Sequence, residues 1–199
     1  MTSKNTTNST AGFFGRMSLT AKLASVIVAV NLIGLIAAVL LLQQNASRTL
    51  REDAFVNWTR EVQQIGSMAA GGIKWNKADV VREAYALYRD DPSLNMVQFY
   101  AFNRDNEVVD RWTRENAEAA MNEAAIKALA EKTANADEAV SNYTGGLATI
   151  VMPLPKNAAG QYSGEVITVW STAPIYAAAE KNAVMLFAIQ AVMMAAAFG

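Results

Sequence analysis

Seven side chains in the middle of the chain combine aromatic surface with hydrogen-bonding groups: Tyr100, Phe102, Arg111, Trp112, Arg114, Tyr143 and Trp170. Small-molecule pockets have that composition, apolar and aromatic walls with a few placed polar groups. Arg111 or Arg114 offers a planar fork suited to two hydrogen bonds with a carboxylate, and Tyr100 or Tyr143 offers a hydroxyl. Trp112 and Trp170 are residue types more common in a core than in a ligand wall. Alternation along a strand sends Tyr100 and Phe102 to one face and Phe99 and Ala101 to the other. One of these sets must be ordinary core, and the sequence leaves open which face carries the pocket.

Other chemistries find little support. The chain has neither Cys nor His, which excludes Cys/His zinc sites, Ser-His-Asp triads, Cys-His nucleophiles and haem ligation through His. The carboxylate pair Glu52-Asp53 belongs to a solvated helix face and Asp90-Asp91 to a helix stop, so neither suggests acid–base catalysis. Asp105, Glu107 and Asp110 lack the Gly and the bidentate Glu that an EF-hand loop places after them. Gly71-Gly72 and Gly145-Gly146 are not phosphate loops, because no Lys-Ser/Thr follows either pair. No enzyme, metal or cofactor is expected.

The elements that hold these residues follow from periodicity. Phe55, Trp58, Val62, Ile65 and Ala69 recur at helical spacing; the stripe serves either as packing for its own domain or as a homodimer seam. Gly71-Gly72 is expected to end or kink this helix. Asn76 should cap a second helix with Val80, Val81, Ala84, Leu87 and Tyr88 as its buried stripe, stopped at Asp90-Asp91-Pro92. Residues 95–103 and 108–113 read as a hairpin across Arg104–Glu107. Ala117–Lys132 returns to helix, with Met121, Ala125, Ala128 and Leu129 on one face and Glu123 pairing with Lys127. Strands at 139–143, 147–153 and 165–171 follow, with a turn at Gly145-Gly146 and a loop from Pro155 to Gly164, before a helix that opens at Pro174. The expectation is an α+β domain of five antiparallel strands with helices on one side.

Two uncharged apolar runs bracket this domain. Leu23–Leu42 has the roughly 20 residues that a bilayer core requires, and Ala183–Gly199 is at the short limit. All 18 acidic residues and 14 of the 17 basic ones lie between them. The first 22 residues hold Lys4, Arg16 and Lys22 and no acid, so they are read as a cytoplasmic tail, residues 23–42 as an uncleaved first span, 43–182 as an extracytoplasmic domain and 183–199 as a second span. The domain's net charge of −4 argues against nucleic acid as a partner. Asn31 and Gln190 are polar within the spans, and Gly34/Ala38 and Ala191/Ala195 offer small faces for helix packing in a dimer.

At this point the chain resembles a known family. The hairpin YAFNRDNEVVDRW (residues 100–112) and the closing strands GLATIVMPLP (146–155) and GQYSGEVITVWSTAPI (160–175) are similar to the PAS-like single-Cache sensor domain of bacterial methyl-accepting chemotaxis receptors and sensor kinases. The turn carries Asn106 where that family more usually has Gly; Asn tolerates the left-handed backbone. The resemblance spans residues 43–182 and both flanking runs. It implies a PAS-like antiparallel sheet with a long N-terminal helix, in the inner membrane, as a homodimer in contact with lipid. It implies a small ligand, such as a carboxylate or amino acid, held between the sheet and its covering loops by the seven residues named above. It also implies a cytoplasmic output region beyond Gly199, so the chain is expected to be truncated before its HAMP, kinase, cyclase or methyl-accepting part. The alternatives are an envelope interaction protein using the same ectodomain, or the anchor and sensor of a cytoplasmic enzyme.

Overall fold

The computed structural model describes residues 18–198 apart from 116, 118, 135, 157 and 158, and within the last helix it does not describe the side chains of 190, 191 and 194–198. Lys4 and Arg16 of the predicted tail, and Gln190, Ala191 and Ala195 of the predicted second packing face, therefore lie outside the described residues. Two compact units partition the chain: residues 1–45 with 182–199, and residues 46–181.

The first unit contains the beginning of α1 (Leu19–Lys74) and the end of α5 (Ala173–Phe198). Among the described residues α1 is the one helix long and apolar enough to cross a membrane. Its apolar side chains between Leu23 and Leu42 are largely exposed.

The second unit is an α+β domain. After α1 come two short helices, α2 (Ala78–Ala84) and α3 (Ala86–Asp90), and a single 3₁₀ turn at Pro92–Leu94. The hairpin β1 (Met96–Asn103) and β2 (Val108–Thr113) follows, then α4 (Glu123–Thr133), β3 (Val140–Thr144), β4 (Leu147–Pro153) and β5 (Gly164–Ser171). The sheet is antiparallel with order β2-β1-β5-β4-β3, so the last strand is central.

Helices cover both faces of this sheet rather than one. Trp58, Val62, Ile65, Ala69 and Ile73 of α1, with Val81 and Ala84 of α2, pack on Met96, Phe99, Ala101, Ala148, Ile150, Val166 and Trp170. Ile126 and Ala130 of α4 pack on Val97, Tyr100, Phe102, Leu147, Val151, Ile167 and Val169. The α1 stripe thus serves its own sheet. Burial on both sides explains why β1 and most of β5 read as near-continuous apolar runs.

Local chemistry corrects several sequence expectations. Helix α1 runs through Gly71-Gly72 and stops at Lys74, two residues before Asn76, which adopts φ 50°. The Lys77 amide then bonds the Gly72 carbonyl at 2.8 Å, a Schellman-type closure that needs a left-handed residue. Gly72 is required for contact: a Cβ there would lie 2.8 Å from Val81 Cγ2. Asn76 does not cap α2, whose N-cap is Lys77 with no side-chain bond. The second helix breaks at Tyr85, which leaves Leu87 exposed and buries Tyr85 instead. Helix α4 starts late, at the cap formed when Asn122 Oδ1 accepts from the Ala125 amide at 2.7 Å. Its buried residues are Ile126, Ala130 and Thr133, and Glu123 pairs with Arg111 across to β2, not with Lys127.

Candidate functional site

The seven predicted residues do not converge. Tyr100 and Phe102 stack in parallel, centroids 6.3 Å apart, but both are buried under α4 as core. Trp170 is fully buried on the α1 side and donates its indole N–H to Thr168 at 2.8 Å. Trp112 is half-buried on that same face, with the Arg114 guanidinium 5.3 Å from its ring. Arg114 donates to the main-chain carbonyls of Met96 (3.0 Å), Tyr88 (2.9 Å) and Asp91 (3.3 Å), so its fork ties α3 and the 3₁₀ turn to β1. Arg111 is spent on Glu123. Tyr143 sits on the outermost strand, its ring 6.0 Å from Phe55 and its hydroxyl donating to the Arg51 carbonyl at 3.3 Å. Tyr143 borders a shallow cavity of about 300 Å³.

A larger cavity of about 690 Å³ opens at the C-terminal end of α1. Three segments bound it. Ile73, Lys74, Trp75 and Asn76 come from the end of α1 and the turn after it; Asn103, Arg104 and Asp105 come from the end of β1 and its turn; Leu154, Pro155, Tyr162 and Ser163 come from the ends of the β4–β5 loop. Its walls mix apolar surface with two cations, one carboxylate and two amides. Trp75 is 69% exposed, with the Lys74 ammonium 5.2 Å from its ring.

Asn103 organises this end of the domain. Its Oδ1 accepts from the amides of Asp105 (3.0 Å) and Glu107 (2.9 Å), an Asx-type closure of the hairpin turn. Its Nδ2 donates to Asn76 Oδ1 (3.1 Å) and Glu107 Oε2 (3.2 Å). The side chain of Asn76, freed from capping α2, thus joins the helix end to the hairpin. Asn106 takes φ 60° in the turn, the left-handed conformation expected of it. The base of the β4–β5 loop is closed by the Leu154 amide on the Gly164 carbonyl at 2.9 Å.

Two buried acids lie behind the surface. Asp110 accepts from the Tyr85 hydroxyl at 2.8 Å and from Arg82 at 3.3 Å, which fastens α2 to β2. Burial, and secondarily the Asp110 carboxylate, push the Tyr85 phenol up to about 12. Glu165, on β5, meets the Thr133 hydroxyl, and burial raises its carboxyl to about 7. A second groove of about 740 Å³ runs beside α4, where alanines, Met121, Leu129 and Leu147 share the wall with Lys132, Asn142, Thr144 and Thr149; its wall is the more apolar of the two.

The residues that sequence reasoning passed over are Lys74, Trp75, Asn76, Asn103 and Tyr162. A signal existed for Asn76 and Asn103, since Asn favours left-handed and Asx-turn positions. Tyr162 sits in an aperiodic loop and had none.

No family model matches the chain, and no curated protein matches it. Among solved structures, that of MglC from Myxococcus xanthus is similar over 48% of this chain and 87% of its own length, at 11% identity and a TM-score of 0.27. A likeness at that level carries no argument about fold or function.

Proposed function

We propose that the chain is the sensory region of a bacterial transmembrane receptor, with the PAS-like, single-Cache type of domain outside the inner membrane and α1 and α5 as its two membrane anchors in a lipid-embedded homodimer. The cavity at the end of α1 takes a small extracytoplasmic solute. Lys74 and Arg104 outnumber Asp105 there, which suits a carboxylate or amino acid, while Ile73, Leu154 and Pro155 receive its apolar part.

One observation carries this reading. Ser163, in the cavity wall, immediately precedes β5; β5 is the central strand, and only Thr172 separates it from α5. A solute that favours one arrangement of the 162–164 segment therefore biases the strand that leads into the apolar helix, and differential affinity of this kind is what a receptor requires.

The test uses the full chain in detergent micelles, screened for thermal stabilisation by small carboxylates and amino acids. The expected result is stabilisation by one chemical class, weakened at least tenfold in affinity by Lys74→Glu. The reading fails if no solute of these classes stabilises the protein, or if Lys74→Glu leaves binding unchanged.

A further inference from the structure

Glu165 is the second residue of the central strand and has no exposed surface. Its strand neighbours are Phe102 on β1 and Pro153 on β4, neither of which can donate a side-chain hydrogen bond. On the α4 side the Thr133 Oγ1 lies 3.1 Å from each carboxyl oxygen. The Tyr162 hydroxyl is buried beside the carboxyl without a partner in hydrogen-bond geometry. Among the described residues no cation pairs with Glu165. The charged side chains of α4, Glu123, Lys127, Glu131 and Lys132, are exposed, and Lys156 on the β4–β5 loop pairs with Asp137.

The hydrogens can be counted. Thr133 has one hydroxyl hydrogen, and its nearest acceptor is the Leu129 carbonyl at 2.8 Å, ahead of both carboxyl oxygens. With Glu165 ionised, either the Thr133 hydrogen abandons Leu129 or the Tyr162 hydroxyl must turn onto the carboxylate, and a buried carboxylate that gains neither donor carries a high cost. With Glu165 protonated, its O–H donates to Thr133 Oγ1 and Thr133 donates to Leu129. Both of these hydrogens then have an acceptor at the observed distances.

We propose that Glu165 is a proton-binding site: it is a neutral carboxylic acid in the folded domain and gives its proton to water as the surroundings become alkaline. Ionisation then draws the hydrogens of Thr133 and Tyr162 onto the carboxylate and loosens the C-terminal turn of α4. Burial pushes the Glu165 carboxyl up to about 7, opposed by the weaker pull of Thr133 and Tyr162, so the change falls within the ordinary range of surroundings. Tyr162 also lines the cavity, and any solute bound there is coupled to the proton in both directions. The proton site itself does not depend on the receptor reading.

The experiment is an infrared titration of the full chain in micelles between about pH 6 and about pH 9, where carboxylates at their ordinary values are almost wholly ionised. It is read as wild type minus Glu165→Gln, so that Glu61, which burial also raises, cancels. The carbonyl stretch of a protonated acid should be present at the acid end and vanish with a midpoint near 7. Glu165→Gln, which keeps the size and neutrality of the protonated side chain, should lack that change. Thr133→Val, which removes the hydroxyl at constant shape, should move the midpoint upward, because the hydrogen bond Thr133 gives the carboxylate outweighs the one it accepts from the neutral acid. If the wild type shows no titrating carbonyl, the proposal is overturned; the same follows if Glu165→Gln retains the change or if Thr133→Val leaves the midpoint in place. Should Glu165→Gln fail to fold, the wild-type and Thr133→Val titrations still decide.

Discussion

The indole of Trp58 on α1 stacks on that of Trp170 on β5, with centroids 5.3 Å apart and planes inclined by 18°. Tyr88 closes over Trp170 edge-on at 5.8 Å. The long helix therefore grips the central strand two residues before Thr172 and the start of α5. Trp58→Ala removes most of one partner from a dry contact and should destabilise the domain by about 3 to 5 kcal/mol. Trp58→Phe should cost distinctly less. Urea unfolding of the full chain in micelles, followed by circular dichroism, measures both.

Gly164 and Gly71 should respond to alanine with opposite signs. Gly164 has φ 122°, and a Cβ there would stand 2.4 Å from the Phe102 carbonyl oxygen and 2.9 Å from Ile73 Cγ2. Backbone cannot yield as a side-chain tip can, so Gly164→Ala should lower the unfolding midpoint strongly or prevent folding. Gly71 is helical, and a Cβ would meet nothing within 4 Å. Gly71→Ala should stabilise by about 0.5 to 1 kcal/mol. Thermal melts of the two variants side by side give the comparison.

Asn103→Ala should open the cavity end of the domain. It leaves the Asp105 and Glu107 amides without their acceptor and cuts the link to Asn76. The expected loss is about 1 to 3 kcal/mol. Asn103→Asp keeps the acceptor for the two amides but sets a carboxylate where Nδ2 met Glu107, so it should retain the turn and lose the contacts to Asn76 and Glu107. Amide hydrogen exchange at Asp105 and Glu107 separates the variants, with protection lost in the first and kept in the second.

Stability should decline as pH rises through neutrality. Burial holds the folded Glu165 carboxyl at about 7, above its ordinary 4.5, so between these values the folded protein binds more protons than the unfolded chain. The contribution is complete below the ordinary value and is lost as pH rises through the folded one. It amounts to roughly 3 kcal/mol in all. Asp90, held down by Arg89, and Asp91, held down by Ser93, act with the opposite sign and only in more acid solution. Unfolding midpoints across the neutral range should fall in the wild type and stay level in Glu165→Gln.

Much of the fold was legible because it is written in local periodicity. The hairpin limits at Val108–Thr113, the strand Leu147–Pro153 and the helix stop before Pro92 coincide with sequence expectation. The α1 stripe was legible too, though not which surface it meets. The site was less so. Tyr100 and Phe102 looked like a pocket wall on the premise that one sheet face lacks a helix; α4 covers that face with Ile126 and Ala130. Arg114 looked free to hold a ligand because its acceptors are main-chain carbonyls 18 to 26 positions away, which no side-chain pattern reveals.

By itself the sequence determined the α+β composition, the apolar run that begins α1, the absence of Cys and His chemistry, and the left-handed turn at Asn106. Each depends on residue type or near-neighbour spacing, which act before the chain has folded. Only the tertiary structure decided that the last strand is central and that both sheet faces are buried. It also decided that Asn76 reaches Asn103 instead of capping a helix, and that Glu165 meets a hydroxyl with no cation beside it among the described residues. Those outcomes depend on which distant segments share a dry interior, where polar groups must take whatever partner the packing brings them.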